Sequence, residues 1–411
     1  MSIGQPGIVR SSESSRHQVD IPLRQDLDLE RLRRERLEKL QATMKKQDVA
    51  IMLLYNAANI RYATGTELMS VWTGSTFERY AVVGVEGEPV MCEFRTAEHT
   101  AEAVSDNVRT AISWQWSGRD AAPTARRWAA QIKGIMQQMG AADEVLAIDK
   151  LDPTGFAALS DAGIRVVDAW PVCADARRVK TPEEVRLLRF NGAIGDRMMA
   201  AFQAAVQPGI TENGLLAVLS AALLQNGGEA LFTRVVAAGR NTNPWLQEAT
   251  DYVVQPGDLV GIDTDAYGFE GYVIDISRTF LCGETASEGQ KEAYRVAYDC
   301  VTGMVDMVRP GISFGDFARQ APELPDAYKK LRYCSMAHPA GLEDESPGIP
   351  YLYDLGATAP DLELEENTVL CFECYAGKEG APYGVKLEDQ VLITRDGCER
   401  LCAFPYEEKL L

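Results

Sequence analysis

Histidine is nearly absent from this chain. His17, His99 and His338 are the three in 411 residues, so chemistry that gathers several imidazoles in one site is strained. Basic residues are also short, 41 Lys+Arg against 60 Asp+Glu, and the formal charge of −19 argues against nucleic acid, because phosphate binding needs a basic face. No run approaches the roughly 18 to 20 apolar residues of a membrane span, and the N-terminal stretch lacks the apolar segment of a secretory signal. These absences lead to the expectation of a soluble, cytoplasmic protein with no membrane partner. The nine cysteines are odd in number and scattered, which suits reduced thiols better than a disulfide framework. Cys371 and Cys374 form a C-x-x-C, but CFECYAG reads as a strand and lacks the helix N-terminus that activates such a pair.

Several motifs are missing too. There is no G-x-x-x-x-G-K-[ST], no G-x-G-x-x-G and no H-E-x-x-H, which removes the usual support for phosphoryl transfer, dinucleotide chemistry and zincin-type hydrolysis. Gly311-Ile312-Ser313-Phe314-Gly315 matches the G-x-S-x-G elbow in letters only. It follows a helix and a Pro-Gly turn, so Ser313 reads as the N-cap of the next helix.

What is present is alternation. The length suits about two to three domains, two large ones included. A polar arm over 1–24 precedes an amphipathic helix from Leu29 to Met44. Strand-like and helical segments then alternate to about Cys173, giving an α/β domain over 25–175. Thr181-Pro182-Glu183-Glu184 opens a new helix with an N-cap Thr, Pro at the first position and Glu at the third. From there to 411, helices followed by antiparallel strands occur twice, which suits a pseudo-duplicated α+β domain over 176–411.

Five acids and one histidine fall on strand or strand-end segments of that second half: Asp263, Asp265, Asp275, His338, Glu373 and Glu388. Residues i and i+2 of a strand share a face, so Asp263 and Asp265 are expected to aim at one point. Carboxylates among Val, Ile, Leu and Phe are costly to bury unless a cation accompanies them. Each alone could be an ordinary strand-end acid. As a set with one imidazole they are oxygen-rich ligands for a divalent or trivalent transition metal, one or two ions, with iron placed first and manganese, cobalt or zinc as alternatives.

The order Asp, Asp, His, Glu, Glu resembles the creatinase, prolidase and methionine aminopeptidase superfamily, and Asn59-Ile60-Arg61-Tyr62-Ala63-Thr64-Gly65 resembles the N-terminal domain of its creatinase and prolidase branch. The resemblance implies a creatinase-like N-terminal domain, a C-terminal pita-bread metallopeptidase-like domain and a homodimer. Peptidases of this superfamily use further histidines near the metal, whereas here His338 is the only one after His99. Thr242 to Glu248 (TNPWLQE), Asp263-Thr264-Asp265, Tyr333, Asp344 and Lys386 to Thr394 (KLEDQVLIT) instead resemble the metal-dependent dimethylsulfoniopropionate lyases of the DddP type. His338-Pro339-Ala340-Gly341 departs from that family's H-G-V-G.

That resemblance implies β-elimination on a small zwitterionic substrate, with Asp344 as the base, Tyr333 in catalysis and substrate binding, and Trp245 and Trp72 facing the sulfonium. Each has a plainer rival: Trp245 after Asn-Pro as packing, Tyr333 as a core tyrosine, Asp344 as a solvated loop charge. The rival activities are an Xaa-Pro dipeptidase or aminopeptidase, and a pita-bread binding protein that has lost catalysis.

Overall fold

The computed structural model describes residues 23–67, 78–354 and 361–411. Within it, α1 (Leu29–Lys46) starts at Asp28, whose side chain accepts from the Arg31 amide, and buries Leu32, Arg36, Leu40 and Met44 at i, i+4 spacing. The N-terminal unit continues through β1 (Ile51–Leu54), α2 (Ala57–Thr64), β2 (Tyr80–Gly84), β3 (Val90–Glu93), α3 (Glu98–Glu102), β4 (Val108–Thr110), α4 (Ala121–Gln138), β5 (Leu146–Ile148), α5 (Pro153–Asp161), β6 (Val166–Asp168) and α6 (Trp170–Arg178). Its six-stranded sheet has the order β4-β3-β2-β1-β5-β6. The central strands are buried on both faces and read as apolar runs rather than alternating ones.

The second unit opens with α7 (Pro182–Ala205), where Thr181 and Glu184 form the expected capping box, and α8 (Glu212–Gln225). Short strands follow: β7 (Ala230–Leu231), β8 (Val236–Ala238), β9 (Leu259–Asp263), β10 (Ala266–Tyr267), β11 (Val273–Ile274) and β12 (Ser277–Leu281). Then come α9 (Glu288–Met307), α10 (Phe314–Gln320), α11 (Asp326–Lys329), β13 (Ala337–Pro339), β14 (Val369–Gly377), β15 (Gly384–Thr394) and β16 (Gly397–Arg400). Ser313 caps α10 by accepting from the Asp316 amide, the structural role expected of it.

The sheets β12-β9-β8 and β13-β14-β15-β16 meet along β12 and β15. There the Thr279 hydroxyl donates to the Lys386 carbonyl at 2.9 Å, and buried Arg278 pairs with Asp389 at 2.9 Å. Helices α9 and α10 pack an apolar layer that includes Tyr294, Val301, Met304 and Phe317 against Leu370, Phe372, Leu387 and Val391 of the sheet. All nine cysteines are free, and Cys371 and Cys374 lie in β14 as read from sequence. Among the described residues no helix is long and apolar enough to cross a membrane.

Candidate active site

Strand register assembles the site. Antiparallel pairing sets Glu373 of β14 opposite Glu388 of β15, and sets His338 of β13 opposite Cys371, which shares Glu373's face of β14. Asp263 ends β9 opposite Ser277, the first residue of β12. The Ser277 hydroxyl lies 2.7 Å from both Asp263 Oδ1 and Glu388 Oε2, so it ties the two sheets together at the site.

The expectation that one strand face presents both Asp263 and Asp265 is corrected by the structure. The strand stops at Asp263, because Thr264 turns its hydroxyl to the Ile274 carbonyl at 3.0 Å and accepts the Ile276 amide at 2.9 Å. Asp265 then adopts a φ of 31° in the left-handed region and reaches the site from the turn, with Oδ2 accepting from Thr233 at 3.0 Å. The same Thr264 bonds flank Asp275 in the break between β11 and β12. Convergence is nevertheless achieved: ligand atoms of Asp263, Asp265 and Asp275 lie within 4.8 Å of one another, as do those of Asp275, His338, Cys371 and Glu388.

Two site residues escape a reading based on acids and histidines alone. Lys386 is fully buried, and its Nζ lies 3.0 Å from Asp263 Oδ2, 2.9 Å from Glu373 Oε2, 3.1 Å from Glu388 Oε2 and 2.9 Å from Ser277 Oγ. Its signal was its place two residues before Glu388, on the same face of a strand. Cys371 stands beside the acids, but burial raises its pKa well above the ordinary thiol value, so it is held as a neutral thiol.

One ammonium does not satisfy the five carboxylates Asp263, Asp265, Asp275, Glu373 and Glu388. Asp275 Oδ1, Glu373 Oε1 and Glu388 Oε1 are buried without a hydrogen-bond partner, and stranded carboxylate oxygens are costly. His338 Nε2 lies 3.4 Å from Asp275 Oδ2 and 3.7 Å from both Glu373 Oε1 and Glu388 Oε1. Oxygens without donors around one imidazole fit a transition-metal ion, and two donor groups that share Asp275 offer adjacent positions for two. The residues that would hold such ions are Asp275, His338, Glu373 and Glu388, with Asp263 and Asp265 on the other side of Asp275.

The titration behaviour points the same way. Burial pushes Asp265 and Glu373 up to about 8 and raises Asp263 and Asp275 as well; neighbouring acids add to the rise, while Lys386 opposes it at Glu373 and Asp263. Glu388 moves down: burial opposes this, but Lys386 and His338 outweigh it. Between unfolded carboxyl values near 4 and folded values of about 8, the native state without metal binds more protons than the unfolded chain. Its stability therefore falls as pH rises through that window. Chelator-treated protein should show a falling Tm from about pH 5 to about pH 8, and added divalent metal should raise Tm most at the upper end, where it takes the place of protons. A Tm of chelated protein that climbs with pH would contradict the cation-deficient site.

Residues 186–395 match the model of metallopeptidase family M24, and residues 36–179 match the creatinase/prolidase N-terminal domain. The chain belongs to metallopeptidase family M24. Two curated relatives extend over nearly all of it. Dimethylsulfoniopropionate lyase DddP of Roseobacter denitrificans is 30% identical, covering 96% of this chain and 89% of the relative, and that of Roseovarius nubinhibens is 28% identical, covering 93% and 88%. The Xaa-Pro dipeptidase of Pyrococcus furiosus is 31% identical over 56% of this chain and 64% of its own length. Among solved structures, the prolidase of Pyrococcus horikoshii superposes with a TM-score of 0.73 at 23% identity, covering 91% of this chain and 99% of that one. The likeness establishes the creatinase-like N-terminal domain and the pita-bread C-terminal domain.

Of the remaining sequence-derived residues, Asp344, Tyr333 and Trp245 lie within the described residues. Asp344 lies in the loop after β13 and is exposed to solvent. Its carboxyl is nonetheless crowded by protein: desolvation raises its pKa, His338 opposes the rise, and Glu388, Glu343 and Glu345 reinforce it. Tyr333 precedes β13 in a loop rather than a strand, with its ring centroid 4.3 Å from Lys386 Nζ. Trp245 is buried in a small cluster with Val235, Ala237 and Tyr375, against which Tyr333 and Leu331 pack. It stacks on Tyr375 at 6.1 Å, and Gly261 leaves room for its ring, since a Cβ there would come within 2.7 Å. Tyr375 Oη donates to the Thr242 carbonyl at 2.8 Å, which fixes the TNPW segment to the β14–β15 hairpin. Trp72 lies outside the described residues.

Proposed function

We propose that the chain is a carbon–sulfur lyase that cleaves dimethylsulfoniopropionate to dimethyl sulfide and acrylate by β-elimination. The observation that carries this reading is the convergence of carboxylates that could hold a metal with a single imidazole, along a chain that matches two DddP lyases almost end to end. Among the described residues the other histidine is His99, exposed on α3 in the N-terminal unit. Amide hydrolysis needs an acid for the departing nitrogen, and among the described residues no second histidine stands near His338 to serve. Elimination has no such requirement, because dimethyl sulfide leaves as a neutral molecule.

A bound ion at this centre would supply Lewis-acid stabilisation for the substrate carboxylate as charge builds next to it. Asp344 removes a proton from the carbon alpha to that carboxylate. The C–H electrons form the double bond of acrylate, and the C–S pair departs with dimethyl sulfide. Trp245 and Tyr333 offer aromatic faces to the sulfonium, each worth about 0.5–2 kcal/mol. Trp245→Ala is accordingly expected to raise KM about two- to thirtyfold, with little change in metal content.

Gas chromatography of the headspace over metal-loaded protein and dimethylsulfoniopropionate tests the reaction directly, with an Xaa-Pro dipeptide assayed in parallel. Dimethyl sulfide without dipeptide cleavage is the expected result. Dipeptide cleavage without dimethyl sulfide would transfer the site to the dipeptidase reading.

A further inference from the structure

Asp344 sits between two glutamates that are held by Arg177 and Asn56 of the N-terminal unit and by Lys180 in the link between the two units. Arg177, buried at the end of α6, pairs with Glu343 Oε1, approaches Glu345 Oε1 at 3.5 Å and donates to Asn59 Oδ1 at 2.9 Å. Lys180 Nζ holds Glu345 Oε2 at 2.8 Å and the Arg177 carbonyl at 2.7 Å. Asn56 donates from Nδ2 to Glu343 Oε2 at 3.1 Å. Asn56 and Asn59 are themselves fixed by Asp149, which accepts the Asn56 amide at 3.1 Å and Asn59 Nδ2 at 2.9 Å.

The loop that carries these acids is closed at its base. The Glu345 amide donates to the Pro339 carbonyl at 2.7 Å, the Gly341 amide to the Glu343 carbonyl at 3.1 Å, and Ala340 bridges Asp344. Gly341 has no side chain where one would collide: a Cβ would lie 2.2 Å from Glu345 Oε1 and 3.0 Å from Lys180 Nζ. Two of three consecutive acids are thus anchored, and Asp344 between them lies within electrostatic range of His338 and Glu388. Planar guanidinium–carboxylate pairing fixes direction as well as distance.

We infer that Arg177, Asn56 and Asn59 are positioning residues, through which the N-terminal domain aims Asp344 at the substrate by way of Glu343 and Glu345. The inference rests on Asp344 being the base. It assigns the creatinase-type domain a part in catalysis, and it gives the Asn59 of the NIRYATG motif a physical task. A base displaced by about 1 Å can cost on the order of a hundredfold in rate, so a clamp on its neighbours has a measurable effect.

The test uses Arg177→Gln and Asn56→Asp in the full, metal-loaded protein. Asn56→Asp keeps the side-chain acceptor that caps α2 through the Asn59 amide, while it removes the donor to Glu343 and sets a carboxylate against it. Each is expected to lower kcat about ten- to hundredfold, with KM for dimethylsulfoniopropionate within about twofold and metal per chain unchanged. Amide hydrogen exchange across 340–345 should quicken in both. In an Asp344→Asn background the same substitutions should cost less than about twofold more, because residues that act through one group are not additive. Unchanged kcat in folded Asn56→Asp protein, or losses that multiply fully with Asp344→Asn, would overturn the clamp. If Arg177→Gln does not fold, Asn56→Asp decides alone. Full turnover by Asp344→Asn by itself would instead remove the base on which the clamp depends.

Discussion

Asp275→Ala is expected to abolish metal binding and with it essentially all turnover, while leaving the fold intact. The reason lies in how Asp275 is placed. It is 1% exposed, its Oδ1 has no partner, and its Oδ2 faces His338 Nε2 at 3.4 Å. It belongs to both donor groups of the centre, so its loss depletes either ion position. No lysine or arginine of the described ion pairs relies on it, in contrast to Asp263, Glu373 and Glu388, which share Lys386. Removal of Asp263, Glu373 or Glu388 therefore changes a structural charge network as well as a ligand set. Removal of Asp275 relieves a buried carboxyl group of about 1–3 kcal/mol of unmet hydrogen bonding. Metal-stripped Asp275→Ala should thus melt at or above the temperature of the metal-stripped parent, yet gain little on metal addition. Elemental analysis of both proteins after reconstitution checks the first half, and paired thermal melts check the second. Metal occupancy equal to the parent's would remove Asp275 from the centre.

The centre was legible in sequence to the extent that it depends on strand register. Glu373 and Glu388 lie on long strands whose pairing is fixed by their apolar faces, and the pair Glu373 opposite Glu388 follows from that register. His338 and Cys371 follow from the next pairing. What the alternation rule gets wrong is Asp265, because the rule assumes that a strand continues. Thr264 interrupts it with side-chain bonds to Ile274 and Ile276, a local competition with the ladder that a threonine in a β-rich run does not advertise. The counter-ion was missed for a related reason. Lys386 in VKLED reads as an ordinary polar position of a half-exposed strand, and only the packing of β12 on β15 reveals that this face is sealed. The interdomain clamp was beyond reach from sequence, since Arg177 and Glu343 are 166 residues apart and nothing in either local pattern names the other.

Lys386 also bears on why this arrangement suits elimination. A buried ammonium against three carboxylates lowers the negative charge of the centre without occupying the free oxygens near His338. Its distance of 4.3 Å from the Tyr333 ring leaves the opposite face of that ring for a sulfonium on the proposed reaction. On the proposed reaction, the substrate's carboxylate would take the centre and its sulfonium the aromatic cluster.

Asp344→Asn tests the proton transfer from the substrate's alpha carbon. The substitution keeps side-chain shape and leaves Glu343 and Glu345 on their partners, so metal content and KM should stay near the parent's. Loss of a positioned general base costs about 10² to 10⁴ in kcat. The pH profile supplies an independent signature. Crowding by protein and by Glu388, Glu343 and Glu345 raises the Asp344 pKa above its ordinary value despite the opposing His338. A base must be deprotonated to act, so kcat/KM in the parent should climb with pH through that raised value and then level off. In Asp344→Asn this limb should vanish and the residual rate should be flat. Substrate deuterated at the alpha carbon should react more slowly in the parent if proton removal limits the rate. A pH limb that persists unchanged in the Asn variant would assign the proton to another group, and Tyr267, which lies within electrostatic range of Asp344 and Asp265, is the next group to test.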